Sequence, residues 1–380
     1  MSRLNQLIQE LCPHGVKYIS LDKVIDYEQP TKYIVKSTDY DDSFETPVLT
    51  AGQTFILGYT DEKEGIYKAS KENPVIIFDD FTTSFHWVDF KFKVKSSAMK
   101  ILKLKPKFKD TVSFRYIYYA MKNIKYVPGN HSRQWISKYS KFCIPLPPLP
   151  VQQEIVRILD DLTKVTIELN KELNIELEAR KKQYEYYRDL LLTFGDEVEL
   201  IAELCPDGVE YIPLGEVLKN NNAPNSIPKK YYKDNGDIPI IDQSQVYIAG
   251  YTDDESAVPP ILPCIIFGDH TRVVKYADRK FAQGDSGTKV FIPVTEDLNT
   301  KYIYYAFCNI DIPSRGYNRH WTIAKNIKIP IPPLPVQQEI VRILDTFTEL
   351  IKELNAELEA RKKQYEYYLN KLLDFKEVSS

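Results

Sequence analysis

Histidine and cysteine are scarce in this chain, with 5 of each in 380 residues. The cysteines, Cys12, Cys143, Cys205, Cys264 and Cys308, are odd in number and form no CxxC pair. That argues against a disulfide frame or a thiolate zinc site and fits reduced thiols in a cytoplasm. Long apolar runs are missing too. The longest, Val258 to Gly268, is too short and too rich in proline to span a bilayer. The opening MSRLNQLIQELCPHG has no apolar signal core, so neither a membrane nor an export route is expected. The usual marks of catalysis are also absent. There is no GxGxxG turn for a dinucleotide, no GxxxxGK-Ser/Thr loop for ATP, and no Asn/Asp-Pro-Pro-aromatic signature of an amino-methyltransferase. Gly284-Asp285-Ser286-Gly287 superficially resembles a serine nucleophile loop, but no partner motif accompanies it. The chain reads as a binder without a cofactor or metal of its own.

What is present suits folded domains. Hydrophobic residues make up 43% and charged residues 27%, ordinary values for soluble proteins. The length allows two or three domains, each with its own core. The net charge of −3 hides an asymmetry. Residues 1–148 hold 22 basic against 16 acidic side chains, residues 196–333 hold 14 against 19, and each intervening helical stretch holds 7 against 9. Only the first segment has the basic balance of a DNA binder. It includes KFKVKSSAMKILKLKPKFK, Lys91 to Lys109, which reads equally well as a strand pair with a solvated lysine face.

The chain is a duplication. IPLPPLPVQQEIVRILD at Ile144 to Asp160 returns at Ile329 to Asp345, with Leu146 against Ile331 the one difference. ELEARKKQYEYY at Glu176 to Tyr187 returns at Glu357 to Tyr368. Repeats of this kind define the architecture before any local reading. Four segments follow: a globular domain at 1–148, a helix at 149–195, a second globular domain at 196–333 and a second helix at 334–380. LCPHGVKYISL (Leu11 to Leu21) matches LCPDGVEYIPL (Leu204 to Leu214), turn chemistry leading into an alternating strand. Cys12 and Cys205 take equivalent places there and read as small buried side chains. FILGYT matches YIAGYT, PVIIFDD matches PCIIFGD, and YIYYAMKNI matches YIYYAFCNI, the last a helix whose tyrosines pack inward. The proline-rich stretches suit stiff polyproline spacers. Pro150 and Pro335 sit where a helix tolerates proline, at its start.

Beyond each hinge, apolar residues step by three and four. They run through Ile155, Ile158, Leu162, Val165, Leu169, Leu173 and Leu177, and through Ile340, Ile343, Phe347, Leu350, Leu354 and Leu358, continuing to Tyr365 and Tyr368. This is a coiled-coil signal, with Gly195 a natural stop for the first helix. Helices of about 44 residues, roughly 66 Å long, need partners. Connectivity favours pairing them antiparallel, since a parallel pair would force a compact domain to return the chain across their length. The expected fold class is α+β: two mixed globular domains separated by two long helices in an antiparallel coiled coil, with an internal pseudo-twofold repeat. Between Asp160 and Ala179 the first helix takes 19 steps where the second takes 15 from Asp345 to Ala360.

The hinge of the PPLxVQxEIVRILD type, the coiled-coil end ELxARKKQYEYYRDLLLTF and the LCPxGVxYxxL openings resemble the specificity subunit of type I restriction–modification enzymes, over essentially the full length. The resemblance implies a non-catalytic chain whose two globular domains are target-recognition domains, each reading one half of a split double-stranded DNA target. It also implies that the helices set the gap, with tetrads as a ruler, and dock two DNA adenine methyltransferase subunits. Restriction–translocation subunits join that complex, and S-adenosylmethionine, ATP and magnesium belong to the partners. Blocks identical in both halves are then the faces a repeated partner sees: Gln152, Gln153, Arg157, Arg180 and Lys181, with Gln337, Gln338, Arg342, Arg361 and Lys362.

Base readout belongs where the halves diverge, whereas shared residues serve the fold or phosphates. Arg133 in HSRQW and Arg319 in YNRHW are equivalent and fit the second class. The divergent base-reading candidates of the first half are Gln53, Thr54, Thr82, Thr83, Ser84, His86, Asn130, His131 and Gln134, with Lys32 a further DNA contact. Those of the second are Lys229, Lys230, Gln243, Ser244, Gln245, His270, Thr271, Arg272, Arg315, Asn318 and His320. Arg, Lys, Gln and Asn pair with purine edges in the major groove. Two other classes stand beside this one: a coiled-coil adaptor with protein-binding ends, and a self-contained nuclease or methylase.

Overall fold

The computed structural model describes residues 2–52, 54–129, 132–194, 205–206, 208–316 and 318–378. They form two compact units, Met1–Lys171 with Leu358–Ser380, and Glu172–Glu357. Gly195, expected to stop the first long helix, lies outside the described residues.

In the first unit the chain runs through α1 (Arg3–Leu11), β1 (Lys17–Ser20), α2 (Leu21–Val24), β2 (Ile25–Glu28), β3 (Thr46–Leu49), β4 (Ile56–Thr60), β5 (Val75–Asp79), β6 (Phe85–Val88), β7 (Lys93–Val94), β8 (Met99–Leu104), α3 (Phe114–Lys122) and β9 (Cys143–Leu146) into the long helix α4 (Leu149–Thr193). An antiparallel sheet has the order β2-β8-β5-β6. A second has β4-β3-β7, with β3 parallel to β7, and β1 pairs with β9.

The second unit repeats this plan. After β10 (Glu210–Pro213) come α5 (Leu214–Val217), β11 (Leu218–Asn220), β12 (Ile238–Ile241), β13 (Gly250–Thr252), β14 (Cys264–Gly268), β15 (Val274–Ala277), β16 (Ala282–Gln283), β17 (Thr288–Pro293), α6 (Thr300–Asn309), α7 (Trp321–Ala324), β18 (Lys328–Ile331) and α8 (Leu334–Leu372). Its sheets have the orders β11-β17-β14-β15, β13-β12-β16 and β10-β18. Each run matched between the halves in the sequence becomes the same element twice.

Period-two burial explains the unbroken apolar runs Val75 to Phe78 in β5 and Cys264 to Phe267 in β14. Ile76 and Phe78 face one core cluster while Val75 and Ile77 face another; Ile265 and Phe267, and Cys264 and Ile266, divide likewise. Gly15 shows why the opening turn needs glycine. Its φ is +107°, and a Cβ there would collide with the Lys376 carbonyl. That carbonyl accepts the Val16 N–H at 2.8 Å as the chain end lies along the turn.

The hinge differs from a plain polyproline spacer. Its first residues are the strands β9 and β18, with Tyr18 opposite Pro145 and Tyr211 opposite Pro330. Proline gives up only its N–H, so an edge position accommodates it. Its free carbonyl finds another donor: Tyr116 bonds Pro145 O at 2.9 Å and Tyr302 bonds Pro330 O at 2.8 Å. These tyrosines are core residues with an anchored tip.

The long helices pair within each unit. In the first, Val151, Ile155 and Leu159 share a core cluster with Leu369 and Leu373, and Thr163 Oγ1 lies 3.1 Å from Tyr365 OH. In the second, Tyr187 stacks on Phe347 with centroids 5.4 Å apart. Thus α4 meets the end of α8 in one unit and its beginning in the other, the antiparallel order expected. Two expected seam positions, Val165 and Tyr368, are instead 59% and 41% exposed. A helix of 3.6 residues per turn drifts off a strict seven-residue repeat, so not every three-or-four step stays on one face.

Two lysines of the Lys91–Lys109 run depart from a solvated face, while Lys91, Lys95, Lys107 and Lys109 are exposed. Lys93 and Lys100 are fully buried, paired with Glu62 at 2.8 Å and Asp80 at 3.2 Å. A charge inside a sheet packing needs such a counterion, so part of the basic balance is neutralised internally. Among the described residues no helix is long and apolar enough to cross a membrane.

Candidate nucleic-acid interface

In the second unit three loops are tied together by their own polar groups. The β12–β13 loop reaches the β14–β15 turn through Gln243, whose Oε1 accepts the His270 N–H at 3.3 Å and whose carbonyl accepts Thr271 Oγ1 at 2.5 Å. Lys275 clamps the same loop from below: its buried Nζ donates to Asp242 O at 2.7 Å and Val246 O at 2.6 Å. Burial pushes the Lys275 ammonium below its ordinary pKa, and nearby Asp242 opposes that shift. The stretch made of residues 311–316 and 318–320 joins the turn twice. Arg272 Nη1 donates to Ile312 O at 2.9 Å, and the His320 N–H donates to Asp269 O at 2.8 Å. Gln243, Ser244, Gln245, His270, Thr271, Arg272, Arg315 and His320 are therefore brought into one cluster, with Asn318 and Arg319 on the same loop. Lys229 and Lys230 stand exposed on a turn connected to it through Tyr232, which donates to Asp242 at 3.2 Å.

The first unit builds the equivalent place differently. His86 Nε2 lies 2.9 Å from Gly52 O, and its ring stacks on Phe55 at 4.6 Å, holding the β3–β4 loop against β6. A recess of about 340 Å³ opens beside Gly52, Thr83, Ser84 and His86. Thr54 and Thr82 are exposed, as is Arg133. Lys32 is bonded to β2 instead, 3.2 Å from Glu28. Gln53, Asn130 and His131 lie outside the described residues.

Four of the proposed reading residues point inward and are corrected here to internal supports. Gln134 and His320 are 0% and 1% exposed. Gln134 accepts the Tyr126 hydroxyl at 2.7 Å and donates to Ser132 O at 2.7 Å. His320 Nδ1 lies 3.0 Å from Asp269 O, and its Nε2 accepts the Arg315 N–H at 3.2 Å. Gln243 and Thr83 are buried as well. Polar type and divergence place a residue in the loop cluster; they do not reveal which way its side chain turns.

Thr83 and Arg272 occupy the same place in the two units and share left-handed backbones, φ +61° and +64°. Each turn closes from that residue onto its strand, Thr83 N to Asp79 O at 3.0 Å and Arg272 N to Gly268 O at 2.7 Å. Sequence reasoning missed the residues beneath these turns. Asp80 Oδ1 accepts the Trp135 N–H at 2.8 Å and Asp269 Oδ1 accepts the Trp321 N–H at 2.8 Å. The signal was there, in the aspartates that end PVIIFDD and PCIIFGD and the tryptophans that end HSRQW and YNRHW.

On the helices the repeated glutamines divide. Gln152 and Gln337 are 1% exposed. Gln152 accepts the Ser113 N–H at 2.9 Å and donates to Pro147 O at 2.7 Å; Gln337 accepts the Asn299 N–H at 2.8 Å and donates to Pro332 O at 2.8 Å. They fasten hinge to domain and are corrected from docking residues to structural ones. Gln153 and Gln338 are exposed. Arg157 and Arg342 are exposed too, each in a two-pronged pair with Glu154 and Glu339 respectively. Arg180 pairs with Glu176 at 2.7 Å, Lys181 with Glu178 at 2.8 Å and Lys362 with Glu359 at 2.6 Å, while Arg361 donates to Gln364 at 3.0 Å.

The chain matches the family model described as the type I restriction modification DNA specificity domain twice, over residues 13–179 and 206–360. It is 39% identical, over 99% of its length and 98% of the relative, to the type I restriction enzyme EcoR124I/EcoR124II specificity subunit of Escherichia coli. It is 30% identical, over 85% of its length and 86% of the relative, to a putative type I restriction enzyme specificity subunit of Haemophilus influenzae. The crystal structure of the type I restriction–modification S subunit from M. genitalium shares the fold, with a TM-score of 0.58 at 15% identity over 95% of this chain and 97% of that one.

Proposed function

The chain belongs to the type I restriction–modification DNA specificity family, and on that premise we propose that it is the non-catalytic, DNA-reading subunit of a cytoplasmic complex. Residues 1–148 and 196–333 serve as target-recognition domains, each reading one half of a bipartite double-stranded target. The segments 149–195 and 334–380, which carry the long helices Leu149–Thr193 and Leu334–Leu372, set the gap and dock two adenine methyltransferase subunits, through which restriction–translocation subunits join. S-adenosylmethionine, ATP and magnesium act on those partners. The observation that carries this reading is the repetition of one fold in two units whose loops lie at the same places but differ in sequence, as two different half-sites require.

Exposed side chains of the clusters make the base contacts in this reading: Thr54 and Thr82 in the first unit, and Gln245, Thr271, Arg272, Arg315 and Asn318 in the second. Arg133 and Arg319, at equivalent places, fit phosphate contacts, as do Lys229 and Lys230. Docking falls to Gln153, Arg157, Arg180 and Lys181 with their counterparts Gln338, Arg342, Arg361 and Lys362. The test is a DNA-binding titration of the complex reconstituted with its methyltransferase, at several salt concentrations. A protein-binding adaptor would give no salt-dependent, sequence-dependent shift, whereas the expected complex gives both. Light scattering on the same sample should report two methyltransferase subunits per chain.

A further inference from the structure

We propose that Asp80 and Asp269 are positioning residues that hold the reading loops of their units in register. The inference rests on the half-site reading above. Each aspartate joins three segments of its unit by polar bonds, beside the tryptophan rings that also pack there, Trp135 on Phe78 at 5.0 Å and Trp321 on Phe291 at 4.1 Å. Through its main chain, Asp80 donates to Ala98 O at 2.9 Å and accepts the Gln134 N–H at 2.7 Å. Its Oδ1 accepts the Trp135 N–H, and its Oδ2 faces Lys100 Nζ at 3.2 Å. Asp269 repeats every element. It donates to Gly287 O at 2.8 Å, accepts the His320 N–H at 2.8 Å, accepts the Trp321 N–H on Oδ1, and faces Lys289 Nζ at 3.6 Å.

Three of the four residues that follow these knots differ between the units, Phe81, Thr83 and Ser84 against His270, Arg272 and Val273, with Thr82 and Thr271 shared, while the knots themselves do not differ. A variable tip on an invariant base is what two readers of different sequences need. The pairing with lysine has a reason as well. A bare carboxylate beneath a surface that meets a polyanion would repel it, and both aspartates are kept from solvent, with Asp80 1% and Asp269 3% exposed. Buried charge must be compensated where it stands, and a lysine supplied by the neighbouring strand β8 or β17 does that without taking a phosphate-facing position.

The acceptor can be separated from the charge. Asp80→Ala with Lys100→Met removes the knot without stranding an ammonium, whereas Asp80→Asn with Lys100→Met keeps an oxygen for the Trp135 N–H. Each is assembled with the methyltransferase, checked by thermal melting, and its methylated sites are mapped. The Ala/Met variant should lose methylation of the full target by roughly tenfold or more, the effect of a missed base pair. It should relax preference at one half-site only. The Asn/Met variant should read both half-sites like the wild type, and Asp269→Ala with Lys289→Met should relax the other half-site. If the first-unit Ala/Met variant does not fold, the second-unit pair decides the matter, since Lys289 is 29% exposed and its removal disturbs less. Folded Ala/Met variants that keep full preference, or that lose both half-sites together, overturn the proposal, as does an Asn/Met variant that fails equally. A wild-type complex that methylates no two-part site overturns the half-site reading and this inference with it.

Discussion

The Tyr119 hydroxyl donates to Asp160 at 2.5 Å, and the same carboxylate oxygen accepts Arg115 Nε at 2.9 Å. Asp160 closes the repeated IVRILD block, so the first long helix is bonded to the recognition domain by the last residue of its most repeated stretch. The second unit does the same through Tyr305 and Lys301, which donate to Asp345 at 2.6 and 2.8 Å. A charged acceptor makes this a strong hydrogen bond. In a double-mutant cycle, Tyr119→Phe and Asp160→Asn should show a coupling of about 1 kcal/mol by urea denaturation. Strictly additive losses would mean the contact contributes nothing.

Glu62 gives the first unit an acid-sensitive support. Burial alone would raise its carboxyl, but Lys93 Nζ and the N–H groups of Ser37 and Lys36 outweigh it and bring it down to about 2. The folded state therefore binds this proton less tightly than the unfolded chain does, whose value is near 4.5. The stabilisation is complete above about 4.5 and is lost as pH falls through about 2. Glu62→Gln should flatten that acid limb in a urea midpoint measured against pH; an unchanged acid limb contradicts it.

Arg272 combines a left-handed backbone with a single internal bond from its guanidinium to Ile312 O. Among the described residues its guanidinium makes no other hydrogen bond, which leaves donors for a ligand. Arg272→Ala should relax recognition at one half-site and cost about 1–3 kcal/mol of discrimination there. Methylation profiling of the assembled enzyme checks this. Loss at both half-sites, or at neither, rules the contact out.

Most of the fold was legible because a duplicated chain supplies its own comparison. Repeats identified the matched strands, the α3 and α6 helices and the long antiparallel pair. Strand order was not legible, since neither β5 nor β14 records which strands flank it. The hinge misled because proline alone does not separate a polyproline spacer from an edge strand. The loop clusters were found by divergence, yet Gln134, His320, Gln152 and Gln337 look like surface polar residues in sequence. Only the third dimension shows that their hydrogen bonds are already made.

The proposed ruler role of the spacer can be tested by its length. Lys171 to Asn174 lie within the unbroken helix α4, in the region where the first helix is four residues longer than the second. Deleting them removes about 6 Å and a little over one turn. At roughly 3.4 Å per base pair, the gap in the target should shorten by about one or two base pairs with both half-sites kept. Mapping the variant's methylated sites reports the gap directly, and an unchanged gap means the helices only support.

The most direct measurement is methylation-sensitive sequencing of the host genome with this gene present, deleted and restored. The expected result is one motif, two short specific half-sites at a fixed spacing, whose adenine methylation disappears with the gene and returns with it. A methylation pattern unaffected by the gene, or a single uninterrupted motif, would contradict the account.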